Sequence, residues 1–172
     1  MARIQESERG AIVVDEIELR DFLPESKLAN DEATYIVFRF RNIGRTSVRL
    51  VESKVQFHLA TEMVEPPDYG ARPLNMTGQI LPQNESLFRM YRLYDPKLPH
   101  ARLPDVTYDL ITSTNDVFLV LYGYIRYVDA FGTRLITGFG YQYSALASIF
   151  SKRSEFQVYG SDAYNYTKKD RR

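Results

Sequence analysis

Residues 117–143 read VFLVLYGYIRY, then VDAFGT, then RLITGFGYQY, the pattern of two long β-strands joined by a tight turn. Side chains alternate along a strand, so Leu119, Leu121, Ile125 and Tyr127 share one face and Phe118, Val120, Tyr122 and Tyr124 the other. Both faces are apolar. The segment is therefore expected at the centre of a sheet, with an opposing sheet on one side and loops or a partner on the other. Asp129-Ala130-Phe131-Gly132 suits a type I turn closed by a glycine in the left-handed region. On the return strand Leu135, Thr137, Phe139, Tyr141 and Tyr143 are in phase. Gly138 and Gly140 fall opposite and leave room for large side chains or a close backbone.

The rest of the chain repeats this period on a smaller scale. Residues 11–22 form a strand whose apolar phase changes between Val14 and Ile17, which predicts a bulge near Asp15. Residues 23–33 read as loop. Ile36, Phe38 and Phe40 alternate with Tyr35, Val37, Arg39 and Arg41 in a half-buried strand. Asn42-Ile43-Gly44 is a turn signal, because Asn and Gly tolerate positive φ. A strand over 47–59 follows, with Val51, Val55, Phe57 and Leu59 inward. The Pro- and Gly-bearing stretch 61–79 is unusually long for a loop and leaves space for a short edge strand at 74–76. Strands are expected over 87–93 and 156–159, a short helix over 106–111 behind Asp105, and a helical turn or sheet end over 145–150. The fold class is all-β: an immunoglobulin-like, two-sheet antiparallel β-sandwich of about seven or eight strands with one short helix. The expected organisation is a linker at 1–10, the sandwich at 11–160 and a flexible C-terminal tail at 161–172.

Composition narrows the chemistry. The chain has 172 residues and no cysteine, which removes thiolate nucleophiles and Cys-ligated metal. Its 22 Lys and Arg balance 22 Asp and Glu, whereas a nucleic-acid binder shows a basic excess or stripe. Arg39, Arg41, Arg45 and Arg49 cluster near one turn and read as a solvated strand face rather than a phosphate site. The longest apolar run, 117–125, is about half of what a spanning helix needs, and the first ten residues lack the apolar core of a signal peptide.

No catalytic constellation emerges, and no metal or cofactor site. The two histidines, His58 and His100, show no ligand spacing. Gly138-Phe139-Gly140 lies in a strand and precedes no helix. Glu16 and Glu18 alternate with Ile17 and Leu19 as a solvent face, and Asp129 opens a turn, where its carboxylate bonds backbone amides two or three residues on. Asn75, Asn84 and Asn165 open Asn-x-Ser/Thr triplets, meaningful only in a eukaryotic secreted protein. What is left is the face of Tyr122, Tyr124 and Arg126. Tyr and Arg are favoured at interaction hot spots, while the plainer reading has these rings covering the edge of the core.

The hairpin also carries a family pattern. Gly123-Tyr124-Ile125-Arg126-Tyr127-Val128-Asp129-Ala130-Phe131-Gly132, followed by Thr137-Gly138-Phe139, resembles the G-x-I-x-Y-x-D-x-F-G…T-x-F signature of uncharacterised bacterial membrane-anchored envelope proteins with a small β-sandwich. Glu8 to Val13 looks like that family's passage from anchor into first strand. Asn42 to Thr46 looks like its N-x-G-x-T turn, with Ser47-Val48 in place of Pro-Ala. Leu81 to Ser86 looks like its L-x-P-G-x-S turn, with Gln83 replacing Gly, and Tyr164-Asn165 like its closing pair. The resemblance spans nearly the whole chain, but through turn and packing motifs, so no residue inherits a catalytic role. It implies an N-terminal anchor preceding these residues and a place in the bacterial cell envelope, on either face of the membrane.

The functional expectation is a non-enzymatic interaction or scaffolding domain whose partner is a protein, not nucleic acid. A sugar- or peptide-binding pocket lined by Tyr122, Tyr124 and long loops is the alternative. An acid-based hydrolase is a distant third, since no paired acids occupy matching loops.

Overall fold

A computed structural model describes residues 9–20, 35–62, 65, 67–70, 74–92, 118–143 and 156–171. The described chain is all-β and forms ten strands: β1 (Ile12–Arg20), β2 (Tyr35–Asn42), β3 (Val48–Ala60), β4 (Leu74–Asn75), β5 (Ile80–Leu81), β6 (Ser86–Arg92), β7 (Phe118–Asp129), β8 (Arg134–Tyr143), β9 (Phe156–Val158) and β10 (Tyr166–Lys169). They make two antiparallel sheets. The small one runs β1-β2-β6; the large one runs β10-β8-β7-β3-β4, with β5 also on β3 and β9 also on β8. The expected helix at 106–111, His100, the loop at 23–33 and the segment 145–150 lie outside the described residues.

The strand count exceeds the seven or eight expected because two further short strands, β5 and β10, extend the large sheet. Residues 161–172 are the clearest correction. They were expected as a flexible tail, yet Tyr166 to Lys169 pair with Gly138 to Leu135 as the edge strand β10. The expected edge strand at 74–76 is β4, which pairs Asn75 with Glu52 and Leu74 with Ser53. Behind it Met76 turns inward and is fully buried.

The two sheets close on one core, as in a sandwich. Phe38 and Phe40 from β2 meet Phe139 from β8 at ring distances of 6.3 and 6.2 Å. Ile12, Ile36, Leu119, Leu121 and Ile125 fill the space around them with essentially no exposure. Two tyrosine hydroxyls reach across this layer to the backbone of the opposite sheet. The Tyr127 hydroxyl on β7 accepts a hydrogen bond from the Ile12 amide on β1, and the Tyr141 hydroxyl on β8 donates to the Val14 carbonyl. β7 lies between β3 and β8 as its two apolar faces require.

Local sequence explains the joints. The bulge expected near Asp15 is present: the register of β1 shifts between Asp15 and Glu18, and Glu16 takes a φ of 48°. The hairpin turn is also as expected. Gly132 has a φ of 80°, and its amide donates to the Asp129 carbonyl. The turn after β2 works for a different reason than positive φ. Neither Asn42 nor Gly44 is left-handed. Instead the buried Asn42 side chain ties three segments together. Its Oδ1 accepts from the Ala11 and Gly44 amides, and its Nδ2 donates to the carbonyls of Thr46, Leu81 and Pro82. Gly44 sits so close to Arg9 and Gly10 that a Cβ would fall 2.3 Å from the Arg9 carbonyl oxygen.

Candidate functional site

Tyr122, Tyr124 and Arg126 alternate on the face of β7 that points away from the inter-sheet core. Pairing places them in rows across the large sheet. Tyr122 lies between Gln56 and Gly140, Tyr124 between Lys54 and Gly138, and Arg126 between Glu52 and Ile136. β10 extends two of these rows, setting Tyr166 beside Gly138 and Lys168 beside Ile136. The resulting face carries aromatic rings at one end and charge at the other.

The three residues do not share one environment. Tyr122 is packed, with 5% of its surface exposed, and belongs to a second small core with Val120 and Tyr164. Its ring meets Tyr164 edge-on at 5.3 Å, and its hydroxyl donates to the Asp68 carbonyl at 2.6 Å. Burial, ahead of the nearby Tyr164 and Asp68, pushes its phenol up. Tyr122 is thus core rather than accessible surface. Gly138 makes this arrangement possible, since a Cβ there would lie 2.5 Å from the Tyr164 carbonyl oxygen and 2.4 Å from the Tyr166 ring. Asn165 fixes the same segment by accepting from the Gly140 amide and donating to the Tyr159 and Gly160 carbonyls.

Tyr124 and Arg126 remain half-buried and line a cleft of about 740 Å³. Tyr69 and Gly70 line one side and β10 with Asp170 and Arg171 the other. Tyr69 stands perpendicular to Tyr124 at 5.1 Å. Its buried hydroxyl faces the Tyr166 side chain. Burial first, and the Tyr166 side chain second, push the Tyr69 phenol far above the ordinary tyrosine value. Tyr69 went unrecognised in the sequence because it sits in a Pro- and Gly-bearing stretch with no strand period. Tyr166 lay hidden in what looked like a tail.

Arg126 organises the charged end. Its guanidinium pairs with Glu52 on β3 and, through Nε, faces Asp170 Oδ2 at 3.1 Å. The same guanidinium lies 5.1 Å from the Tyr124 ring centre, and the Tyr124 hydroxyl donates to Glu52 at 3.2 Å. Beyond Arg126 a second hollow of about 530 Å³ opens, lined in part by Arg49, Val128 and Arg134. The Arg126–Asp170 pair borders both hollows.

The other candidates have settled structural partners. Arg39 and Arg41, from the arginine cluster, hold Asp15 at 2.7 and 2.8 Å, and Arg39 also holds Glu16 at 2.8 Å. The Asp15 hydrogen bond raises the Arg39 pKa against the cost of burial. Asp129 Oδ1 accepts the amides of Phe131 and Thr133, so the carboxylate holds the turn. Among the described residues no group of three His, Asp or Glu is placed to hold a metal ion, and no helix is long and apolar enough to cross a membrane. No known protein family, curated protein or solved structure matches the chain.

Proposed function

We propose that this chain is a non-catalytic interaction domain of a bacterial membrane-anchored envelope protein, and that it binds a protein partner through the outward face of its large sheet. The observation that carries the reading is the cleft beside Tyr124 and Arg126. A central strand should present a covered face, yet here two hot-spot residue types border a concavity between Tyr69-Gly70 and β10. The order of the two sheets favours an immunoglobulin-like sandwich in the broad sense. The bacterial, membrane-anchored setting rests on the resemblance of the hairpin and turn motifs.

A photo-crosslinking residue at Tyr124, with the same residue at Phe88 on the other sheet as control, tests the interaction reading in bacterial envelope extract. One protein species captured from Tyr124 and not from Phe88 is the expected result. No capture, or the same capture from both positions, counts against it.

The cleft volume also favours a second reading, a small sugar or short peptide as ligand, since sites for such ligands fall in the same size range. A rise in melting temperature with a neutral oligosaccharide, abolished by Tyr124→Ala, would favour that reading over a protein partner.

A further inference from the structure

The chain as a whole is neutral, with 22 basic and 22 acidic residues, but the two hollows are not. Arg126, Lys168, Lys169 and Arg171 line the first, and Arg49, Arg126 and Arg134 the second. Among the described residues Asp170 is the one carboxylate that lines either. Even with Glu52, which pairs with Arg126 from β3, cations dominate. The hollows follow β7 from Tyr124 to Val128, roughly 13 Å at strand rise. That length suits an extended chain of a few residues rather than a compact ion. The strands beneath, β7 and β8, are paired on both edges. An occupant therefore has no floor backbone to pair with, and recognition falls to side-chain charge.

Asp170 shows which group the point shared by the two hollows accepts. It directly follows β10, its amide donates to the Arg134 carbonyl, and its carboxylate faces Arg126 with a side chain only 12% exposed. The site already holds a carboxylate supplied by the chain itself.

We infer that this groove binds an extended, carboxylate-rich peptide segment of a partner protein, and that Asp170 is its internal competitor for Arg126. Complementary charge of this kind sets specificity and speeds encounter. A nucleic acid fits less well, because the basic residues line two short hollows and not a continuous stripe.

The inference rests on the outward face being the binding face, and it is tested separately from it. Fluorescence anisotropy on the full chain uses three labelled probes: a hexapeptide alternating Glu and Gly, its Lys-Gly counterpart, and a single-stranded oligonucleotide. The expected result is saturable binding of the Glu probe alone. Lys168→Gln with Arg171→Gln, both at exposed positions, should weaken it at least about fivefold. Asp170→Asn should strengthen it severalfold, while Glu18→Gln on the other sheet changes it less than about twofold. No binding of the Glu probe, tighter binding of the oligonucleotide, or indifference to the Lys168 and Arg171 changes would overturn the inference. Asp170→Asn behaving like Glu18→Gln would overturn the role of Asp170. A partner crosslinked at Tyr124 that contains no acidic segment would leave the interaction reading standing and remove this one.

Discussion

Glu52 and Arg126 face each other across neighbouring strands of the large sheet, register partners whose side chains meet as an ion pair that is mostly shielded from water. Their side chains are 22% and 16% exposed, so each charge relies on the other more than a surface pair does. Glu52→Gln should lower stability by roughly 1–3 kcal/mol, because it leaves the guanidinium with Asp170 alone in a partly desolvated place. Arg126→Gln should cost a similar amount. The double substitution should cost less than the sum, as expected for residues in one network. Urea denaturation of the two single variants and the double variant checks this. Additive costs would mean that the pair contributes no coupling.

Asn42 is the strongest single point in the scaffold. One fully buried amide joins the passage into β1, the β2–β3 turn and the segment after β5 through five hydrogen bonds. Asn42→Ala strands several buried backbone groups, each costing about 1–3 kcal/mol when unpaired. A loss of about 3–5 kcal/mol is expected. Asn42→Asp should be no milder, since a carboxylate would face three carbonyls that now accept from Nδ2. Both appear as a lower denaturation midpoint with an unchanged slope.

The backbone is close-packed where Gly44 passes Gly10, and conformation is not what requires a glycine there. Gly44→Ala therefore demands movement of the chain around Arg9 and Ala11 rather than a change of turn type. The variant should lose most of its folded fraction at 25 °C by circular dichroism. Gly132→Ala, at a left-handed position with open space around it, should cost only about 1 kcal/mol.

These cases show what the sequence made legible. Period-two patterning revealed the central hairpin and the bulge at Asp15, because each is written in which neighbours are apolar, and the short edge strand followed from a loop too long to stay structureless. The same patterning missed β10, whose Tyr-Thr-Lys-Lys sequence carries no apolar alternation and is held by pairing with β8. It named Asn42 for its turn propensity and missed its hydrogen bonds, which depend on Ala11, Leu81 and Pro82 arriving from elsewhere. The candidate face was half legible. Tyr122, Tyr124 and Arg126 do lie on one side of β7, but the wall that buries Tyr122 and opens a cleft at Tyr124 is built by Tyr69, Tyr164 and Tyr166. No local signal links those residues to the hairpin.

The tyrosine cluster over that cleft gives the fold an alkaline limit. Burial raises the phenols of Tyr69, Tyr122 and Tyr164 above the ordinary tyrosine value near 10. In the unfolded chain they ionise as pH passes about 10, while in the folded chain they keep their protons to higher pH. Between those points the folded state binds more protons, so stability falls as pH rises. The contribution is fully present below about pH 10 and is lost as pH climbs toward the raised folded values. Tyr69→Phe should flatten this alkaline limb. Near pH 7 it should change stability by no more than about 1 kcal/mol, because among the described residues the buried Tyr69 hydroxyl has no partner beyond the Tyr166 side chain it faces. Denaturation midpoints from pH 7 to 11 for both proteins make the comparison. Parallel curves would show that Tyr69 does not titrate with unfolding, and a loss of more than about 1 kcal/mol at pH 7 would show that its hydroxyl contributes more than an ordinary hydrogen bond.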